Sequence, residues 1–214
     1  MGRASMTVAV RLTEIPIFAH CGTNMRVDIG DPNPRAVNFR LLAAALSKQA
    51  RFDGRHEGGF AFSAAQHAVQ GAQAILNETR DQVMAGLFLL RDGHQWLLGE
   101  RSKPFQILLA MKAGIDLTRV DDEIKSAWDE AIYAAAGMLP PSRWTKRLRE
   151  TIEAMDDRMA RAEAISLFGP KAAADFPNLT QPKLTGALHP WGPGKAETAW
   201  IELFMRLSGR THLN

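Results

Sequence analysis

Three ionisable side chains stand where burial would make them costly. His67 lies in FSAAQHAVQGAQAIL, Asp92 follows the run VMAGLFLLR, and Asp156 sits in EAMDDRMARAEA, each in or beside an apolar helical stretch. Such a group must be paired or bound to a metal. An imidazole nitrogen with carboxylate oxygens is a donor set for a divalent cation, and a cation so held can activate a water. The plainer reading makes the three residues capped or salt-bridged polar groups of a core. Residue type and position leave both readings standing. Glycine-rich phosphate loops, a G-x-S-x-G elbow and H-E-x-x-H are all missing from the sequence, so nucleotide-loop, serine-hydrolase and zincin chemistry have no support.

The elements that must position these residues are mostly helical. Short apolar runs such as IPIF and MRVDI alternate with Gly, Pro and Asn in the first third, which predicts loops and a small hairpin, with a turn at DPNP; the opening MGRASM reads as an unstructured start. Phe39, Leu42, Leu46 and Ala50 then share one helical face. Ser63 stands three places before Gln66, a capping-box spacing that puts His67 in the first turn of a helix. A further helix is predicted from Asp81 to Leu98, stopped by Gly99 and apolar all round in its middle, the pattern of a central buried helix. Helices are also predicted over 104–112, 119–136 and 142–168, and, after the Pro- and Gly-rich FPNLTQPKLTGALHPWGPG, over 195–208. The expected fold is all-α.

With 214 residues, 46% hydrophobic, the chain has enough material for one core of its own. The net charge is only +3, with acidic and basic residues interleaved, so nucleic acid is not indicated as a partner. Cys21 is the single cysteine, which excludes an internal disulfide framework and fits a reducing cytoplasm. No apolar run approaches the roughly 20 residues of a membrane helix. The basic RWTKRLRE, with Arg143, Lys146, Arg147 and Arg149, reads as a solvated helix start, and the five tryptophans as core or interface fillers. His20, His56, His189 and His212 show no ligand spacing. Apolar faces on the last helices would suit a homodimer.

SKQARFDGRHEGGFAFSAAQHAV, then LLRDGHQWLLGERSKPF, then EAMDDRMARAEA resemble the HD-domain phosphohydrolases, specifically the small all-α branch that includes bacterial 5′-deoxynucleotidases. The likeness runs from about MRVDIGDP to PWGPGKAETAWIELF. It implies one HD-like domain over 1–214, with a loop and hairpin extension (1–37), a helical core (38–169) and a Pro/Gly-rich passage leading to the last helix (170–214). It also implies a divalent cation, Mn, Co, Fe or Mg, held by His67, Asp92 and Asp156, the last preferred over neighbouring Asp157. Arg51 and Phe52 match an Arg-aromatic unit that contacts the nucleotide, where a guanidinium can fork onto a phosphate oxygen and a ring can pack on sugar or base.

Two positions depart from that pattern. Arg91 stands where the family has the histidine of the His-Asp pair, and Gln95 where it has a catalytic glutamate. An arginine has no lone pair for a metal, and glutamine cannot take a proton from a bound water. Arg91 could instead supply the positive charge that Asp92 and Asp156 need, in place of the metal. The rival reading has His94, one turn further on, step in as substitute ligand, although a turn displaces the ring by about 4.5 Å. Two functions follow from the resemblance. One is metal-dependent hydrolysis of a nucleotide-like phosphate monoester. The other is a catalytically silent module that binds a nucleotide or another small phosphate.

Overall fold

The computed structural model describes residues 10–113 and 117–213, with the backbone alone at Lys103. Within them the chain is all-α apart from one hairpin. Strands β1 (Phe18–His20) and β2 (Arg26–Asp28) pair antiparallel, with Ala19 opposite Val27. Eight helices follow among the described residues: α1 (Phe39–Leu46), α2 (Ala64–Thr79), α3 (Gln82–Leu90), α4 (Gln95–Leu98), α5 (Lys103–Ala113), α6 (Leu117–Ala136), α7 (Lys146–Phe168) and α8 (Pro193–Ser208). The opening MGRASM lies outside the described residues.

Helix α2 is the spine. It packs on α3, α7 and α8, while α8 also covers α1 and α3. Phe39 of α1 stacks on Phe204 of α8 with ring centroids 4.4 Å apart, and Trp200 stacks on Phe204 at 5.1 Å. The apolar face of α8 expected to serve a dimer is therefore spent in the core. Trp128 of α6 donates to the Ile29 carbonyl at 2.9 Å and so pins the hairpin, and the Tyr133 hydroxyl donates to the Leu87 carbonyl of α3 at 2.5 Å. The core runs from Cys21 to Leu213. Among the described residues no helix is long and apolar enough to cross a membrane.

Four predicted elements come out differently. The 142–168 helix begins only at Lys146, capped by Thr145, after a separate 3-10 turn at Pro141–Arg143. The helix starting at Phe39 stops at Leu46, because Ser47 folds its hydroxyl back onto the Ala44 carbonyl and the chain leaves as an extended pair, Ala50 bridging to Ser63. The predicted 81–98 helix breaks after Leu90. The amides of Arg91, Gly93, Gln95, Trp96 and Leu97 reach back only three residues, as in Gly93 to the Leu90 carbonyl at 2.8 Å and Gln95 to the Asp92 carbonyl at 3.1 Å. Gly93 permits this tightening, since a Cβ there would meet the Leu90 carbonyl oxygen at 2.9 Å and Ile132 at 3.3 Å. The capping box forms by half. Ser63 accepts from the Gln66 amide at 3.1 Å, but the Gln66 side chain turns instead to the His189 carbonyl and the Trp191 amide, both at 2.8 Å.

Those last bonds show where the Pro/Gly-rich passage goes. It runs along α2 and α7, held also by Asn77 on the Lys183 carbonyl and by Arg158, which forks onto Glu78 and reaches the Thr180 and Gln181 carbonyls.

Candidate metal centre

Four elements meet at His67. Its place in the first turn of α2 follows from the Ser63 cap, and the Ala50–Ser63 bridge, with the Arg51 amide on the Phe62 carbonyl at 2.8 Å, brings Arg51 to the same point. The tightened turn after α3 delivers Arg91 and Asp92. Helix α7 delivers Asp156 and, two turns further along the same face, Glu163.

The geometry is that of a buried ion cluster. His67 Nδ1 lies 2.6 Å from Glu163 Oε1, so the ring donates there, and Glu163 Oε2 accepts from Arg51 Nε at 2.8 Å. Glu163 is fully buried and its two oxygens tie the imidazole to the guanidinium. On the other side of the ring, Nε2 lies 3.1 Å from Asp156 Oδ1 and 3.6 Å from Asp92 Oδ2. Distance alone does not make these contacts hydrogen bonds. Both His67 Nε2 and Asp156 Oδ1 are buried without a well-directed hydrogen-bond partner. The contact between them is ionic.

His67, Asp92 and Asp156 each offer one ligand atom, all within 4.8 Å of one another. Atoms about 2.0–2.2 Å from a common cation lie at most about 4.4 Å apart, so the three side chains would hold one after a small inward shift. A carboxylate on the far nitrogen of a ligating histidine fixes its tautomer and orientation, which is the position Glu163 holds. Burial and the Arg51 charge push His67 down, but Glu163 and Asp156 outweigh them and hold the imidazole up at about 9. Asp156 is held well below the usual carboxylate range because Arg91 and His67 overcome its burial; Asp92 is lowered for the same reasons.

Arg91 already sits among these oxygens. Its Nη1 is 2.7 Å from Asp156 Oδ1 and 3.2 Å from Asp92 Oδ1. Its hydrogen bonds to Asp92 and its shortest contact with Asp156 all run through Nη1, and the side chain is 29% exposed. His94 does not join the cluster. Its Nδ1 lies 2.8 Å from Asp129 Oδ1 on α6, which directs the ring to a different carboxylate from those around His67.

Phe52 meets Phe168 edge-on with centroids 5.5 Å apart, and the Arg51 guanidinium lies 5.6 Å from the Phe52 ring. Phe52 and Asp53 both adopt left-handed backbone (φ 55 and 53), a strain of about 1–3 kcal/mol each that persists only where the surroundings impose it. Gln95 is buried, its carbonyl accepting from Gln49 Nε2 at 2.5 Å and its side-chain oxygen without a partner. Asp157, the alternative to Asp156, is exposed. His56 is buried but structural, its Nε2 accepting from the Phe62 amide at 3.2 Å. Arg143, Lys146, Arg147 and Arg149 are exposed, as expected.

Two carboxylates at the site are given no role by the sequence. Glu163 is visible in retrospect as an acid seven places after Asp156, on the face that carries Ile152, Met155, Met159 and Ala162. Glu100 is the other. Burial pushes its carboxyl up to about 7 against the pull of Arg51, and its Oε2 is buried without a partner.

No family profile matches the chain. The chain is similar to an uncharacterized protein of Rhodobacter capsulatus, 27% identical over 146 residues, which covers 67% of this chain and 69% of that one.

Proposed function

We propose that this is an HD-type pocket in which Arg91 stands in for the divalent cation, and that it binds a small phosphate ligand of nucleotide type without hydrolysing it. The carrying observation is the placement of Arg91 Nη1 at 2.7 Å from Asp156 and 3.2 Å from Asp92. A guanidinium there neutralises the carboxylates that a cation would otherwise neutralise, and it is always protonated. The ligand is assigned to the part of the fork beyond Nη1, which can pair with a phosphate in the two-pronged manner that guanidinium favours. Phe52 offers the adjoining ring for sugar or base. Gln95, in the place of a catalytic acid, can accept and donate hydrogen bonds but cannot relay a proton.

The test is calorimetric titration of a deoxynucleoside monophosphate into the protein in excess chelator. Binding in chelator, lost on Arg91→Ala and unaccompanied by phosphate release, is expected. A protein that binds only after Mn or Co is added would contradict the proposal.

A second reading has one observation in its favour. His67 Nε2 and Asp156 Oδ1, buried in ionic contacts but without a well-directed hydrogen bond, fit a cation, with His67, Asp92 and Asp156 as its holders. A bound divalent ion would supply an activated water. In that state Glu163 would keep the His67 ring oriented, Arg51 would keep Glu163 charged, and Arg91 would have to leave the aspartates. Phosphate release that appears with added metal and vanishes in His67→Ala would establish this reading.

A further inference from the structure

Helix α5 is built inside out. Only Gln106 and Ala110, one turn apart, are partly buried on the side of α6, its main packing partner, whereas Phe105, Ile107, Leu108, Leu109 and Met111 are exposed. Met111 is 78% exposed and Leu108 54%. Between Lys103 and Lys112 the helix carries no charge at all. A helix normally turns its apolar stripe to the core and its polar residues to water. Here, among the described residues, the stripe faces away from the rest of the chain.

We infer that this face is the contact between two copies of the chain. With Val120 of α6 (43% exposed) the patch offers roughly 600 Å² of apolar surface per copy, at the upper limit of what monomers show, and two copies would bury about 1,200 Å², where specific interfaces begin. The patch also contains both halves of a joint. Beside Leu109 a groove of about 140 Å³ is lined by Leu117, Val120 and Ile124 and by the Arg101–Asp121 ion pair, and the Leu108–Met111 ridge stands on the exposed side of the same helix. A two-fold axis sets the ridge of each copy into the groove of the other. A lipid surface fits less well, because exposed Asp122 and Glu123 are interspersed with Arg101, Lys112 and Arg119 and form no basic cluster for anionic headgroups. The same contact would steady the segment from Gln95 to Arg101, which leads from the pocket directly into α5.

The experiment is sedimentation equilibrium of the full chain at micromolar concentrations, beside Leu108→Glu/Met111→Glu. Both positions are exposed, so the double variant should retain the wild-type circular dichroism spectrum. The expected result is a wild-type dimer whose dissociation constant rises about 100-fold or more in the variant. If the double variant does not fold, Met111→Lys alone carries the same expectation with a smaller rise. A folded wild-type chain that is monomeric throughout overturns the inference, whether or not it binds anionic vesicles. So does a dimer that the folded variants leave unchanged.

Discussion

Two histidines of this chain each face a buried carboxylate, and they differ in everything else. His94 makes one contact, with Asp129 of α6 at 2.8 Å. His67 makes three, with Glu163 on one ring nitrogen and Asp156 and Asp92 on the other, and two guanidinium groups close the cluster. A single pair can be a structural link. Convergence of three acids on one imidazole from two further elements places like charges together at a cost that only cations offset, and in the structure those cations are Arg51, Arg91 and the imidazolium itself. The comparison separates a paired core histidine from a site.

The sharpest way to break that contrast is to remove the acid behind each ring. Glu163→Ala leaves both His67 and Arg51 buried without their partner and should destabilise the protein by about 3–5 kcal/mol, whereas Asp129→Ala, which breaks one pair, should cost about 1–3 kcal/mol. Urea unfolding of the two variants tests the order; equal losses would make the His67 cluster no different from an ordinary buried pair.

Arg91→Ala comes next. Removing the guanidinium from Asp92 and Asp156 should cost about 2–4 kcal/mol in chelator, and excess Mn or Co should restore most of it by binding the folded state. Thermal melts with and without metal decide this. If metal stabilises the wild type as much as the variant, Arg91 does not hold the place of the cation.

Gly93→Ala should have a smaller effect of about 1–3 kcal/mol, through the clash of its Cβ with the Leu90 carbonyl and Ile132, and should weaken ligand binding by displacing Asp92 and Arg91. A variant with wild-type stability would show that the turn does not depend on that close approach.

The least of these effects is a slope with pH. The His67 imidazole is raised from 6.5 to about 9 in the fold, so its stabilising contribution is fully present below about 6.5 and is lost as pH rises through 9. Chemical unfolding at pH 6.5, 8 and 9.5 in chelator should show stability falling in that order. The fall should be much reduced in a folded Glu163→Gln variant.

The pattern of what was readable follows from the range of the interactions. Apolar periodicity, caps and closing glycines are local: helices α5, α6 and α8 begin and end within two residues of the predicted positions, and α2 begins directly after its Ser63 cap. The break after Leu90 was hidden because VMAGLFLL is apolar on every side and offers no periodicity to interrupt; only Gly93 marks it, and an isolated glycine inside a helical run is weak punctuation. His67, Asp92 and Asp156 could be named from motif resemblance, and the structure brings those three together. Glu163 lacked a motif, and its role depends on where α7 lies against α2, a tertiary fact. The reversed polarity of α5 was likewise invisible, since an all-apolar helix looks buried until its only large neighbour is seen to touch its one polar face.

The most direct test is metal content. Wild type and Arg91→His/Gln95→Glu would be dialysed against Mn, Co or Zn, freed of unbound ion and submitted to elemental analysis. Wild type without metal, and about one ion per chain in the double variant that disappears when His67→Ala is added, is the result expected if Arg91 fills the cation's place. One ion per wild-type chain, lost on His67→Ala, would contradict it and make phosphate release the assay to run.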